Sequence, residues 1–191
     1  MDPIAHEHLE NLHSSNAESR YTSFQYILHV TDHPVNWAYE VWNDLLDLIR
    51  KGDNHQRSIA VQVLSNLAKS DPDKRMLKDL DQLIAITKDE KFVTARHSLQ
   101  SLWKIAVVSE ELKKKVINYL QTRFDECVHE KNYTLIRYDI LEVLRKIYDD
   151  VHDQQLKNMA LILIEKENDE KYRKKYTGLW KDILKKAEEK K

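Results

Sequence analysis

The chain has 191 residues, 33% of them charged and 41% hydrophobic, with a formal net charge of −1. This describes a charged surface over a real core, not a disordered polyelectrolyte, and near-neutrality argues against nucleic-acid binding over the whole surface. Two glycines and three prolines are far below ordinary usage and exclude a turn-rich β-sandwich, a glycine-rich phosphate loop and a chain of flexible linkers.

Taken in order, the apolar residues recur with helical period. The first two helices are expected over 3–13 and 17–31. Asp32-His33-Pro34 then introduces a helix over 35–50 carrying Val41, Leu45, Leu48 and Ile49, since Pro is tolerated in a first turn but not in a helix interior. Gly52, just past Arg50-Lys51, ends it, and the next runs over 54–69. Asp71-Pro72 precedes 74–88, and 92–107 follows. Ser109-Glu110-Glu111 begins 110–129 with a capping hydroxyl and acids where the helix dipole favours them. The remaining helices span 133–149, 153–166 and 170–187. Within 153–166, Met159 and Leu161 to Ile164 are apolar on nearly every side, the mark of deep burial. The short links make successive helices antiparallel neighbours.

An internal repeat underlies this list. Arg20, Arg57, Arg96, Arg137 and Arg173 recur at intervals of 37, 39, 41 and 36 residues. Seven residues past each stand Ile27, Leu64, Trp103, Leu144 and Trp180. Ten past stand Val30, Leu67, Ala106, Ile147 and Ile183. Those offsets trace one helix face, so the helices group into five hairpins: 3–31, 35–69, 74–107, 110–149 and 153–187. One hairpin cannot bury its apolar face alone, and stacking the five within a single domain, 1–191, makes a continuous core.

The segments Asp53-Asn-His-Gln-Arg57-Ser-Ile-Ala60, Asp89-Glu-Lys-Phe-Val-Thr-Ala-Arg96 and Glu130-Lys-Asn-Tyr-Thr-Leu-Ile-Arg137 resemble the HEAT-repeat family, a branch of the armadillo-type α-solenoids. The match is good over about residues 35–149 and rests mainly on the Arg and its helix face in the first and fifth copies. The resemblance implies an all-α fold, a right-handed α-α superhelix of about five helical hairpins. It also implies bonds between the acidic residue and the Arg of the same or a neighbouring repeat. Asp53, Asp89 and Glu130 are therefore the expected acceptors for Arg57, Arg96, Arg137 or an adjacent repeat's Arg. An Arg near a helix start opposes the dipole and needs such an acceptor in any case.

No catalytic constellation emerges, and no catalytic, cofactor or metal residue is assigned. His6-Glu7-His8 and His129-Glu130 contain the His-Glu dipeptides of helical iron-binding hydroxylases, but not at equivalent repeat positions. Cys127 and His129 cannot share a helix face, and an apolar, partly buried Cys127 is expected. A single cysteine forms no internal disulfide, so a reducing compartment, the cytoplasm, is expected. The N-terminal residues lack the pattern of a secretory leader, and no apolar run approaches the ~18 residues that cross a bilayer.

The resemblance makes the Arg-led helices the inner ones, which in a solenoid line a concave surface. Positions one, five and eight past each Arg should then face solvent. They supply the candidate partner-binding set: Tyr21, Gln25, Ser58, Gln62, His97, Ser101, Lys104, Tyr138, Glu142, Arg145, Lys174 and Lys181. A non-enzymatic scaffold or adaptor that binds a protein or peptide is the expectation; no membrane contact is expected. The alternative is a HEAT-like alkylpurine DNA glycosylase that binds duplex DNA. It would draw on Trp37 or Trp42, of which one is expected to be exposed, with Asp44 and Arg50 nearby. Residues 1–55 hold three Lys/Arg against nine Asp/Glu, a balance of −6, while residues 171–191 hold nine against three, a balance of +6.

Overall fold

Helix starts in this protein follow their caps. Asp53 accepts the Gln56 N–H at 2.8 Å and the Gln56 side chain returns the bond to the Asp53 N–H at 2.9 Å, a reciprocal cap that satisfies two orphan donors. Ser109, Asp153 and Asp169 cap their helices through the same kind of side-chain acceptor. The computed structural model describes the backbone of residues 1–188 and side chains as far as Leu184. Among the described residues there are eleven α-helices and no strand. They are α1 Pro3–Asn11, α2 Ala17–Val30, α3 Ala38–Lys51, α4 Asn54–Leu67, α5 Met76–Ile86, α6 Phe92–Ala106, α7 Glu110–Glu126, α8 Tyr133–Val151, α9 Gln154–Glu165, α10 Glu170–Gly178 and α11 Lys181–Glu188. None of these is long and apolar enough to cross a membrane.

Two boundaries differ from the sequence expectation. Helices α3 and α5 start at Ala38 and Met76, several residues after Pro34 and Pro72, so both prolines lie in connecting loops. Asp71 decides the second case. Its carboxylate accepts the N–H groups of Arg75 at 2.9 Å and Met76 at 2.7 Å, which satisfies the first turn from outside. The last expected helix is also broken, into α10 and α11. Gly178 sits at the break, where a residue of low helix propensity costs least. Trp180 is fully buried there, and the released Leu179 carbonyl accepts from Arg145 Nη1 at 2.6 Å.

The helices pair in chain order. Helices α1 with α2, α3 with α4, α5 with α6, α7 with α8 and α9 with α10 are all in contact. The second members also form a row, because α4 packs between α2 and α6, and α8 between α6 and α10. One continuous cluster of buried apolar side chains runs along that row from Ala5 to Trp180. It holds Ile27, Leu64, Leu144 and Trp180, four of the five residues seven past each Arg, all fully buried. Trp103, the fifth, is half-buried. Each such side chain contributes roughly 1.5–3 kcal/mol on burial.

The arginines bind forward, to the next hairpin. Arg57 grips Asp89 with two bonds, at 2.7 and 3.0 Å. Arg96 grips Asp139 in the same way at 2.6 and 2.8 Å, and Gln100 adds a bond to the same carboxylate at 2.9 Å. Arg137 donates to Glu167 at 3.0 Å and to the Phe124 carbonyl at 3.1 Å. Of the expected acceptors, only Asp89 serves a repeat arginine. Asp53 is consumed as the cap of α4, and Glu130 binds Arg123, a buried residue outside the repeat pattern. Asp139 and Glu167 take their places because they are buried, at 0% and 2% exposure, where a carboxylate must find a cation. Arg20, at the start of the row, donates to the Ser14 carbonyl instead.

Gly52 is required by a close approach. A Cβ there would lie 2.5 Å from the Leu48 carbonyl oxygen and 2.8 Å from Gln56 Cβ. Gly178 has open space around it.

Three stability outcomes follow, all readable by urea denaturation. Asp139→Ala strands the buried side of Arg96 and should cost about 3–5 kcal/mol, whereas Asp53→Ala removes only a cap and should cost about 1 kcal/mol. Gly52→Ala should cost about 1–3 kcal/mol through overpacking, and Gly178→Ala should not destabilise. Burial pushes the Asp89 carboxyl up, but bonds from Arg57 and from the Lys91 N–H, with the Arg57 charge, hold it below its ordinary value. Asp89 therefore adds stability above about pH 4 that is lost as the pH falls further, and Asp89→Asn should flatten the acid limb of a stability–pH curve.

Candidate partner-binding face

The candidate residues lie on the second helices of the hairpins, except Lys181 on α11, and their surroundings change along the row. At the N-terminal end, α2, α4 and α6 enclose a groove of about 330 Å³ whose lining includes Tyr21, Ser58, Gln62 and His97. Tyr21 is 62% exposed, so its ring is available above an apolar floor of Phe24 and Ile59. Gln62 is held by its own helix, donating to the Ser58 carbonyl at 3.2 Å and hydroxyl at 3.1 Å. Gln25 is exposed on α2 but does not line this groove. His55, Phe24 and Ile59 were missed by sequence reasoning. Phe24 and Ile59 lie one turn past Arg20 and one residue past Ser58, offsets at which apolar residues read as core.

The middle of the row corrects the expectation of a solvent-facing stripe. Ser58, Ser65 and Ser101 are buried, and Ser65 Oγ donates to Ser101 Oγ at 3.1 Å. The reason is geometric: a helix flanked on both sides lets its neighbours cover short side chains. Ser65 and Ser101 meet between α4 and α6 and do not present a surface, whereas Ser58 borders the groove. Lys104 Nζ donates to the side-chain Oδ1 of the buried Asn66, while Asn66 Nδ2 donates to Leu28 O and Thr31 Oγ1, each at 3.1 Å. One amide thus links the first, second and third hairpins.

Electrostatics separate the remaining candidates. Burial pushes the His97 imidazole below its ordinary range, the Arg96 charge adds to this, and Asp139 opposes it. Burial also lowers the Lys104 ammonium, with Lys69 and Lys146 adding to the effect against Asp32. On α8, Tyr138 carries the Lys175 ammonium over its ring at 4.9 Å, and Glu142 lies 3.5 Å from Lys146. Arg145 is committed elsewhere. It bonds Asp182 at 2.7 and 2.8 Å and Asp149 at 2.8 Å, so its guanidinium joins α8 to α11 and is not free for a partner. Lys174 and Lys181 stand apart from the other candidates, around a groove of about 480 Å³ at the C-terminal end.

Trp37 and Trp42, expected to leave one ring exposed, do not. Trp37 and Trp42 are both buried, and Trp42 Nε1 donates to Asp79 at 2.9 Å. Asp44 bonds His13 at 2.8 Å, and Arg50 bonds Gln82 and Asp47. Cys127 is fully buried, and that burial pushes its thiol up, opposite to the activation a nucleophile needs. Among the described residues, no group of three or more His, Cys, Asp or Glu side chains is placed to hold a metal ion.

No family model matches the chain, and no curated protein does. Among solved structures, it is similar to the crystal structure of an engineered protein, a Northeast Structural Genomics Consortium target. The TM-score is 0.50 and the identity 12%, over 97% of this chain and 98% of that one. At that identity the likeness is one of helical fold alone.

An NMR titration tests the electrostatic description of this face. The His97 resonance should move with a midpoint below the ordinary value of about 6.5. The unfolded chain then takes up the proton first, so this residue costs stability as the pH falls through that value.

Proposed function

We propose that the chain is a HEAT-like right-handed superhelix of five hairpins that serves, without catalysis, as a scaffold or adaptor. In this reading it binds a protein or peptide in the groove between α2, α4 and α6. The observation that carries the proposal is an exposed aromatic ring, Tyr21, over an apolar floor, with Gln62 and His97 on the opposite rim. An aromatic anchor beside adaptable polar groups is the composition from which interface energy is built. The superhelical part is supported by the order of helix contacts and by three arginines that each hold a carboxylate of the next hairpin. A neutral His97 suits the reading, because a partner's backbone can bond to it without charge desolvation.

The sequence's lack of a nucleophile–base pair, phosphate loop or metal spacing supports a non-enzymatic role. The glycosylase alternative finds less support, because Trp37 and Trp42 lie in the core and neither indole is open to stack on a base. A cytoplasmic setting is our reading of the lone, buried Cys127.

A peptide-display selection against the full chain tests the proposal. Tyr21→Ala and Gln62→Ala should each weaken the selected peptides by about tenfold or more, the cost of removing an interface anchor. Peptides that bind both variants as tightly as the parent would reject the groove.

A further inference from the structure

Arg57 and Arg96 hold their carboxylates with the same edge of the guanidinium. Arg57 donates from Nη1 to the Gly52 carbonyl, just ahead of its own helix, at 2.9 Å. Its Nε and Nη2 then grip Asp89 of the next hairpin, and Arg96 presents Nε and Nη2 to Asp139 in the same way. Arg20 repeats the first step: its Nη1 donates to the Ser14 carbonyl, just ahead of α2, at 2.7 Å. The second step is missing. Among the described residues, nothing accepts from Arg20 Nε or Nη2, and no carboxylate lies within ion-pair distance, although Arg57, Arg96 and Arg137 each have one.

The second hairpin carries no acid at the positions that serve the other arginines. Asp89 stands seven residues before Arg96, Glu167 six before Arg173 and Asp139 two after Arg137. The matching positions around Arg57 are Arg50, Lys51 and Ile59, and the nearby Asp53 is spent as the cap of α4. Arg20 is nevertheless only 8% exposed, so its charge is withdrawn from most of the water with a single carbonyl in exchange. Its free edge is not sealed. Among the described residues, the enclosed side-chain polar atoms without a partner are Ser98 Oγ, Arg123 Nε and Trp180 Nε1. The opening is the groove between α2, α4 and α6, which Arg20 lines with Tyr21, Phe24, His55 and Ile59, and among the described residues no Asp or Glu lines it.

We infer that the Nε–Nη2 edge of Arg20 binds a carboxylate of the partner peptide, from an Asp or Glu side chain or a free C-terminus, while Tyr21, Phe24 and Ile59 take an apolar residue beside it. The inference rests on the groove being the peptide site and adds the chemistry of the partner. The peptide then supplies what Asp89 and Asp139 supply to Arg57 and Arg96. A guanidinium edge matches a planar carboxylate with two parallel bonds. Because the Ser14 carbonyl already orients the side chain, little freedom is lost when the peptide binds.

Display selection against the full chain tests it, from one library of internal random segments and one of free C-termini, followed by synthetic versions of the peptides recovered. Peptides that need Tyr21 should carry an acidic residue or a free C-terminus next to an apolar residue. Replacing the acid by its amide, Gln for Glu or Asn for Asp, should weaken binding at least about tenfold. Where only the free-ended library yields binders, amidating the C-terminus should do the same and identifies the terminal carboxylate as the source. This comparison uses the unaltered protein. Against Arg20→Gln the acid and amide forms should bind equally, whereas Arg20→Lys should keep part of the difference, because an ammonium retains the charge without the fork. Far-ultraviolet circular dichroism checks the helix content of both variants. If neither keeps it, the Arg20 Nε–H resonance of the parent decides, and it should shift with the acid form only. Peptides weakened by Tyr21→Ala that bind equally as acid and amide would overturn the inference and leave the groove standing as the peptide site. An acid–amide difference that persists in a folded Arg20→Gln would also overturn it, as would a phosphoserine peptide bound more tightly than its acidic counterpart. A selection that recovers no peptide, or only peptides indifferent to Tyr21→Ala and Gln62→Ala, would reject the groove and the carboxylate site together.

Discussion

A buried carboxylate cannot remain unpaired, and this constraint organises the protein. Asp139 and Glu167 are withdrawn from water between successive hairpins, and each is held by an arginine reaching forward from the hairpin before. Such a pair adds little net stability over well-packed apolar residues, but breaking it is costly. Asp139 meets both Arg96 and Gln100, so this carboxylate fixes one contact point between α6 and α8. The apolar cluster supplies the bulk of the favourable free energy, and the charged links determine which hairpin sits against which.

The same rule accounts for details that look unrelated. Arg145 holds Asp182 and also takes the Leu179 carbonyl freed by the break between α10 and α11, so one side chain both satisfies an irregular backbone and secures the last helix. Asn66 ties three hairpins through one amide. Arg123 and Glu130 make a further pair around the short turn at Cys127–His129. Polar groups placed at the joints carry the specificity that a uniform apolar interface would lack.

The consequence for binding is a surface that differs along its length. In the middle of the row, flanking helices cover short side chains and remove Ser65 and Ser101 from solvent. Elsewhere equivalent positions are open: Tyr21 and Gln25 on α2, Lys174 on α10 and Lys181 on α11. Open grooves accordingly lie between α2, α4 and α6 and beside α10 and α11.

Most of the helices were legible in the sequence, because a helix face is a local property: apolar residues at three- and four-residue spacing and Ser109 before two acids need no distant partner. The spacing of the arginines was legible for the same reason. Their partners were not. Sequence proximity nominated Asp53, Asp89 and Glu130, but whether an acid caps its own helix, as Asp53 does, or crosses to another depends on burial, and burial is decided only when hairpins meet. The candidate face divides along the same line. Period alone identified the residues on the outer side of each second helix, whereas the height of neighbouring side chains determined which of them reach water. That height is a property of packed pairs of helices, and no single helix encodes it.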